Sequence, residues 1–159
     1  MSANVKPKQN QIVVFTLDEP RCALYLSEVE RVVRAVEITP LPKAPEIVLG
    51  VINAQGRIIP VIDVRKRFRL SPHELRLDDQ FIITRTPRRP VSLVVDSVIG
   101  VREVADLELV DAGQSLPFAE YIQGVVKIED NIVLIYDLER FLSLDEERIL
   151  DAAMTGDLE

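Results

Sequence analysis

The stretch from Gly50 to Asp63, GVINAQGRIIPVID, overlays the stretch from Gly124 to Asp137, GVVKIEDNIVLIYD, without a gap. Each is two short apolar runs around a polar tip, the pattern of a β-hairpin. In the first, Val51, Ile52, Ile58, Ile59, Val61 and Ile62 supply the strand formers and Gly56 the turn. The same hairpin met twice constrains the fold, because its surroundings must then repeat as well. They do: setting Gln11 over Gln80 pairs IVVF with FIIT and ALYLSEV with SLVVDSV. Each half reads strand, turn, strand, short helical turn, further strand, hairpin, helix. Identity between the halves is low, so generic β sequence is the competing explanation, and the shared order of the parts favours duplication.

Strand signals dominate the rest. QIVVFTL, RCALYL, AVEITPL, QFIIT, PVSLVVD and VREVADLELV are short runs rich in Val, Ile and Leu, broken by Pro, Gly or Asp. Regular short strands of this kind predict a mainly β fold of small barrels or a sandwich. The repeat divides the chain into a flexible amino terminus at 1–10, a first half at about 11–78, a second half at about 79–142, and a carboxyl-terminal helix and tail at 143–159. Halves of about 65 residues would each bury only about 60% of their surface, so they are expected to share one core at 11–142, with strands free to cross between them.

Helical punctuation falls at matching places. Ser27 with Glu30 reads as a capping box before VERVVR, and Asp96 takes the equivalent position in the second half. Asp63 and Asp137 each end a hairpin strand and precede VRKRF and LERFL, which set Val64 with Phe68, and Leu138 with Phe141 and Leu142, on one helical face. Three similarly placed aspartates resemble a metal cluster, but each precedes its own helical turn and reads as a cap. In SLDEERILDAAM, Ser143 and Glu146 form another capping box, and Ile149, Leu150, Ala153 and Met154 make the apolar face of a helix docked on the body or awaiting a partner.

Composition narrows the function. Of 159 residues 47% are hydrophobic and 28% charged, the balance of a globular chain, and no apolar run reaches the ~18 residues that span a bilayer. The segment MSANVKPKQNQ has no signal-peptide apolar core, so a cytoplasmic protein without membrane insertion is expected. Cys22 stands alone and reads as a buried, inert thiol. A net charge of −7 opposes binding to phosphate backbones or anionic lipid. The one basic cluster, Arg85, Arg88 and Arg89 in RTPRRP, reads as a solvated turn or, alternatively, as the tip of a nucleic-acid-binding barrel. His73 is the single histidine, in the polar connection LSPHELRLDD, with no second histidine or cysteine pair to build a metal site. No phosphate loop, dinucleotide fingerprint, nucleophile elbow or zinc-protease motif is present. No catalytic residue, cofactor or metal ligand is therefore expected.

The order VFTLDEPRCALYLSEVERVVR, then ITPLPKAPEIVLGVINAQGRIIPVIDVRKRF, then SLVVDSVIGV, then EYIQGVVKIEDNIVLIYDLERFL resembles the CheW family of coupling proteins over about residues 11–142. Its most specific part is LPKAPEIVLGVINAQGRIIPVIDVRKRF, close to the family's P-x-x-x-x-G-V-x-N-x-R-G-x-x-x-P-V-[IV]-D-L-R. The resemblance implies two packed five-stranded SH3-like barrels and a non-enzymatic scaffold. It also implies binding to the cytoplasmic tip of a methyl-accepting chemoreceptor and to the regulatory domain of a CheA-type histidine kinase, in membrane-associated or soluble receptor arrays. An orphan scaffold of the same fold in a non-motility system is the nearest alternative. From the length that follows the second half, no fused receiver or kinase is expected.

Residue by residue, the resemblance places Val29, Arg31, Gln55, Gly56 and Ser92 on the receptor side, and Val98, Ile99 and Val101 on the kinase side; ordinary barrel core is the competing reading for the valines and the isoleucine. Two positions depart from the family pattern. Arg31 stands where many relatives have glutamate in V-x-E-[IV], and Gln55 stands where they have the hairpin arginine. A carboxylate has become a cation, and a five-donor fork has become a neutral amide.

Overall fold

The computed structural model describes residues 11–104, 108–109 and 119–156. The predicted flexible segment 1–10 lies outside the described residues. Among the described residues eleven strands follow in order: β1 (Gln11–Thr16), β2 (Arg21–Tyr25), β3 (Val29–Arg34), β4 (Val48–Ala54), β5 (Arg57–Ile62), β6 (Gln80–Arg85), β7 (Pro90–Val95), β8 (Ser97–Glu103), β9 (Glu108–Leu109), β10 (Ile122–Ile128) and β11 (Asn131–Tyr136). Helix α1 (Val64–Arg67) follows β5, and α2 (Leu144–Thr155) ends the fold. No described helix is long and apolar enough to cross a membrane.

The strands form two sheets, ordered β8-β1-β2-β11-β10-β9 and β3-β6-β7-β5-β4. The fold is mainly β, as expected; the first sheet counts a sixth strand only through the two-residue β9. The repeat explains both orders at once. With β1 matched to β6, β2 to β7, β8 to β3, β11 to β5 and β10 to β4, one order becomes the other. Each sheet therefore contains the first two strands of one repeat and the later strands of the other. Both also contain a parallel pairing at the join, β11 with β2 and β5 with β7.

The two hairpins repeat down to their irregularities. β4 and β5 shift register between Val48 and Gly50, and β10 and β11 shift between Ile122 and Gly124. The tips are two-residue turns in which both residues have positive φ: Gln55 at 53° and Gly56 at 83°, Glu129 at 46° and Asp130 at 68°. That sign suits the type I′ turn, whose twist matches the flanking strands. Asp63 N–H donates to the Ile47 carbonyl at 2.8 Å, and Asp137 N–H donates to the Tyr121 carbonyl at 2.7 Å. At Gly50 a Cβ would stand 2.3 Å from the Thr39 carbonyl oxygen, so only glycine lets that segment lie on β4.

Three apolar clusters follow from this topology. Ile12, Val14, Ala23, Val126, Val133 and Ile135 fill the interior of the first sheet. Ile52, Ile59, Val61, Phe81 and Ile83 fill the second. Between the sheets lies a larger core drawn from both repeats, including Phe15, Leu24, Ile62, Phe68, Leu93, Tyr136, Phe141 and Leu150. In it Phe68 stacks on Tyr136 with centroids 4.4 Å apart and meets Phe141 edge-on at 5.6 Å.

The aspartate caps divide. Asp63 accepts the Lys66 N–H, Asp137 accepts the Glu139 N–H, and Ser143 and Glu146 form the expected capping box. The helical reading of VERVVR is overturned: Leu26–Glu28 is a single 3-10 turn without a side-chain cap, and Val29–Arg34 is strand β3, paired with β6. Three β-branched valines outweigh a four-residue capping motif, since they lose χ1 freedom in a helix and pack well on a sheet. Likewise Asp96 caps no helix; strand β8 begins at the next residue.

Candidate partner-binding surfaces and the seam between them

On the second sheet, Glu30 of β3 pairs with Arg57 at the tip of the β4–β5 hairpin, joining the sheet's two ends. The Arg57 hydrogen bond, with the charges of Arg57, Arg85 and Arg31 behind it, holds the Glu30 carboxyl below the usual carboxylate range. The surface is thus locally positive. Arg31 is exposed on β3, and Gln55 and Gly56 are exposed at the hairpin tip next to Arg57. The Glu30–Arg57 pair ties the strand that carries Arg31 to the hairpin tip that carries Gln55 and Gly56.

The other two receptor-side positions are interior. Val29 is 9% exposed and packs in the core between the sheets. Ser92, 0% exposed, lies in register with Ile83 on one side and Val61 on the other. Their side chains offer no surface contact, a correction to placing them by sequence position: a strand's alternation decides inside from outside.

The kinase-side positions lie on the other sheet, on β8, which pairs with β1 and ends the sheet order. Val98 is half-buried against the central core, and its N–H donates to Gln80 Oε1 at 2.7 Å. Ile99 is 38% and Val101 45% exposed. Val101 pairs with Val13, and Ile99 is the extra residue at the register shift between Val14 and Phe15, where the β8 edge bends. An edge strand with apolar side chains in solvent is the kind of surface that takes a protein partner.

Charge pairs absent from the sequence reading fasten the seam. Arg65 Nη2 lies 2.7 Å from Asp18 Oδ1 and 2.8 Å from Asp96 Oδ1, tying α1 to the β1–β2 turn and to the point where the chain crosses from β7 to β8. Burial of Asp96 is outweighed by hydrogen bonds from Arg65 and the Asp18 N–H, which hold its carboxyl below the usual range. Arg67 reaches both Glu146 oxygens, at 2.7 and 2.6 Å, and docks α2. Arg88 lies 3.6 Å from Glu147 and from Asp151, and Arg89 also pairs with Asp151. Arg88 and Arg89 of the RTPRRP cluster are therefore bound to α2 while Arg85 is exposed, which weakens the support for a nucleic-acid-binding tip. Leu150 and Ala153 of α2 are buried, and Ile149 remains 46% exposed. Cys22 is buried, and burial pushes its thiol up to about 12, so it is inert.

The two crossings between sheets differ in charge. Arg65, two residues after Asp63, corresponds in the repeat to Glu139, two after Asp137. Where Arg65 neutralises Asp96 at one crossing, Glu28 at the other is left with acidic neighbours. Burial first, then the charges of Asp137 and Glu139, push its carboxyl up to about 7. Its Oε1 is buried without a hydrogen-bond partner among the described residues. Folded protein thus holds a proton that the unfolded chain, titrating near 4.5, has released. The stability from this proton is complete below pH 4.5 and lost as pH rises through about 7. Glu28→Gln is expected to remove that decline and, allowing for partial exposure, to stabilise the fold by about 1 kcal/mol at pH 8 relative to wild type. Urea unfolding at pH 5 and pH 8 checks this; identical pH dependence of the two proteins would contradict it.

The model of the CheW-like domain family matches residues 11–146. The chain is 31% identical over 135 residues to the chemotaxis protein CheW of Thermotoga maritima, covering 85% of this chain and 89% of that protein. It is also 31% identical over 135 residues to protein FrzA of Myxococcus xanthus, covering 82% of each. In structure it is similar to the scaffolding protein TtCheW from Thermoanaerobacter tengcongensis, with a TM-score of 0.75 and 30% identity over 92% of this chain and 96% of that one.

Proposed function

The chain belongs to the CheW-like domain family, and we propose on that footing that it is a non-enzymatic adaptor linking chemoreceptors to a CheA-type histidine kinase in bacterial chemosensory signalling. The observation that carries the reading is the separation of two exposed surfaces onto two sheets: Arg31, Gln55 and Gly56 on one, and Ile99 and Val101 on the other. An adaptor must hold two partners at once, and this needs two surfaces that do not overlap. Relatives named as chemotaxis and scaffolding proteins support the same reading.

The surfaces divide the work chemically. Ile99 and Val101 offer apolar area whose burial stabilises a complex, with the β8 edge able to extend its hydrogen bonding into a partner. The arginine-rich surface around Glu30 sets which receptor fits, because rim charges act chiefly on encounter rate and discrimination. A receptor facing Arg31 is expected to present acidic or neutral residues there.

Mixed with a CheA-type regulatory domain and a soluble receptor cytoplasmic fragment, the protein is expected to elute from size exclusion as one species containing all three. Displacement of one partner by the other would overturn the coupling role.

A further inference from the structure

We propose that His73, Asp79 and Asp96 form a binding site for a first-row divalent cation, Zn²⁺ foremost, that staples the connection between the two repeats to the seam. One ligand atom of each residue lies within 4.8 Å of the others. The three come from different places: His73 and Asp79 from the connection between α1 and β6, Asp96 from the β7–β8 crossing. Reading along the chain, a single histidine offers no metal site; folding supplies the missing ligands.

The imidazole carries the argument. Its Nδ1 lies 2.8 Å from the Glu74 carbonyl oxygen, and its Nε2 lies 3.4 Å from Asp96 Oδ1. Both ring nitrogens face acceptors, while a neutral imidazole has one N–H to give. The shorter contact takes it, so Nδ1–H donates to the carbonyl and the Nε2 lone pair faces the carboxylate. A cation between them resolves the conflict. A backbone carbonyl on the far ring nitrogen is also how metal-bound histidines are usually held. The 3.4 Å separation is long for a hydrogen bond. It matches the spacing of roughly 3.3 Å between two ligands of one tetrahedral ion bound at about 2.0–2.1 Å.

The charges agree. Asp79 is only 3% exposed, and its Oδ2 is partnered by a neutral group, the Arg76 N–H, at 2.8 Å. His73 and Asp79 line a cavity of about 250 Å³, with Ile38, Arg65, Leu75 and Val94 also on its wall, which has room for the waters that would complete the coordination. Asp63, Glu74 and Asp79 face the same cavity with one cation, Arg65, so the site carries a net negative charge that a divalent ion offsets. A nitrogen ligand favours Zn²⁺, Co²⁺ or Ni²⁺ over Mg²⁺ or Ca²⁺.

The test is calorimetric titration of the full chain with ZnCl₂ at pH 7.5, alongside His73→Gln and Asp79→Asn, with Co²⁺ as a spectroscopic probe. Wild type is expected to bind one Zn²⁺ at micromolar concentration, to melt higher when loaded, and to give visible Co²⁺ absorption of a four- or five-coordinate ion. His73→Gln, a change at a partly exposed loop residue that keeps the fold, is expected to weaken binding at least about tenfold. With no other histidine in the chain, retained binding cannot come from a second imidazole. No binding by wild type, or equal binding by wild type and His73→Gln, would overturn the site.

Discussion

Residues 1–78 expressed alone are expected to show no cooperative unfolding transition, whereas the full chain melts in one step. The fragment contains β1 to β5 and α1, a complete repeat, yet the topology divides that repeat between two sheets. It would lose β8 and β11, the neighbours of β1 and β2, and also β6 and β7, which join β3 to β5. Only the β1–β2 and β4–β5 hairpins keep their pairing. Isolated two-stranded hairpins are marginal in water, and these would expose Phe15, Leu24 and Ile62, all buried in the intact core. Circular dichroism and a thermal scan check the outcome. A sharp independent transition in the fragment would mean that the first repeat can form its own sheet, against the exchange of strands described above.

The duplication was legible because its markers are local. A polar tip between two apolar runs and an aspartate ahead of a helical turn each depend on a few adjacent residues. That strands could cross between the repeats was expected from a shared core, but which strands exchange was not legible: β1 and β6 carry similar apolar runs, and each could pair with either set of neighbours. VERVVR was misread because Ser27 and Glu30 satisfy a capping motif, whereas Glu30 pairs with Arg57 on a neighbouring hairpin. The seam was invisible for the same reason. Arg65, Asp18 and Asp96 are far apart in sequence, and no local pattern marks which carboxylate a guanidinium will meet. Carrying partner-side positions over from a family motif found Arg31, Gln55, Ile99 and Val101 on the surface, but it could not separate them from Val29 and Ser92, whose burial is decided by strand register.

Two pairs of substitutions test the division into two partner surfaces. Arg31→Glu with Gln55→Arg reverses charge on the second sheet, and Ile99→Asp with Val101→Asp places carboxylates on the β8 edge of the first. All four side chains are exposed, so each pair is expected to leave the melting temperature nearly unchanged, as surface substitutions usually do. Their effects on binding should be large and separate. The β8 pair would bury unpaired carboxylates in the proposed kinase interface and is expected to weaken binding of the regulatory domain about a hundredfold, leaving receptor binding intact. The Arg31/Gln55 pair is expected to weaken the native receptor about tenfold, to favour a receptor that suits the glutamate–arginine pattern, and to leave the kinase untouched, since distant sites without shared contacts act independently. The decisive measurement is the dissociation constant of each variant for each partner, in a two-by-two comparison against wild type. Loss of one partner per variant, in opposite senses, is the predicted result; loss of both partners by either variant, or of neither by both, would contradict an adaptor with one partner surface on each sheet.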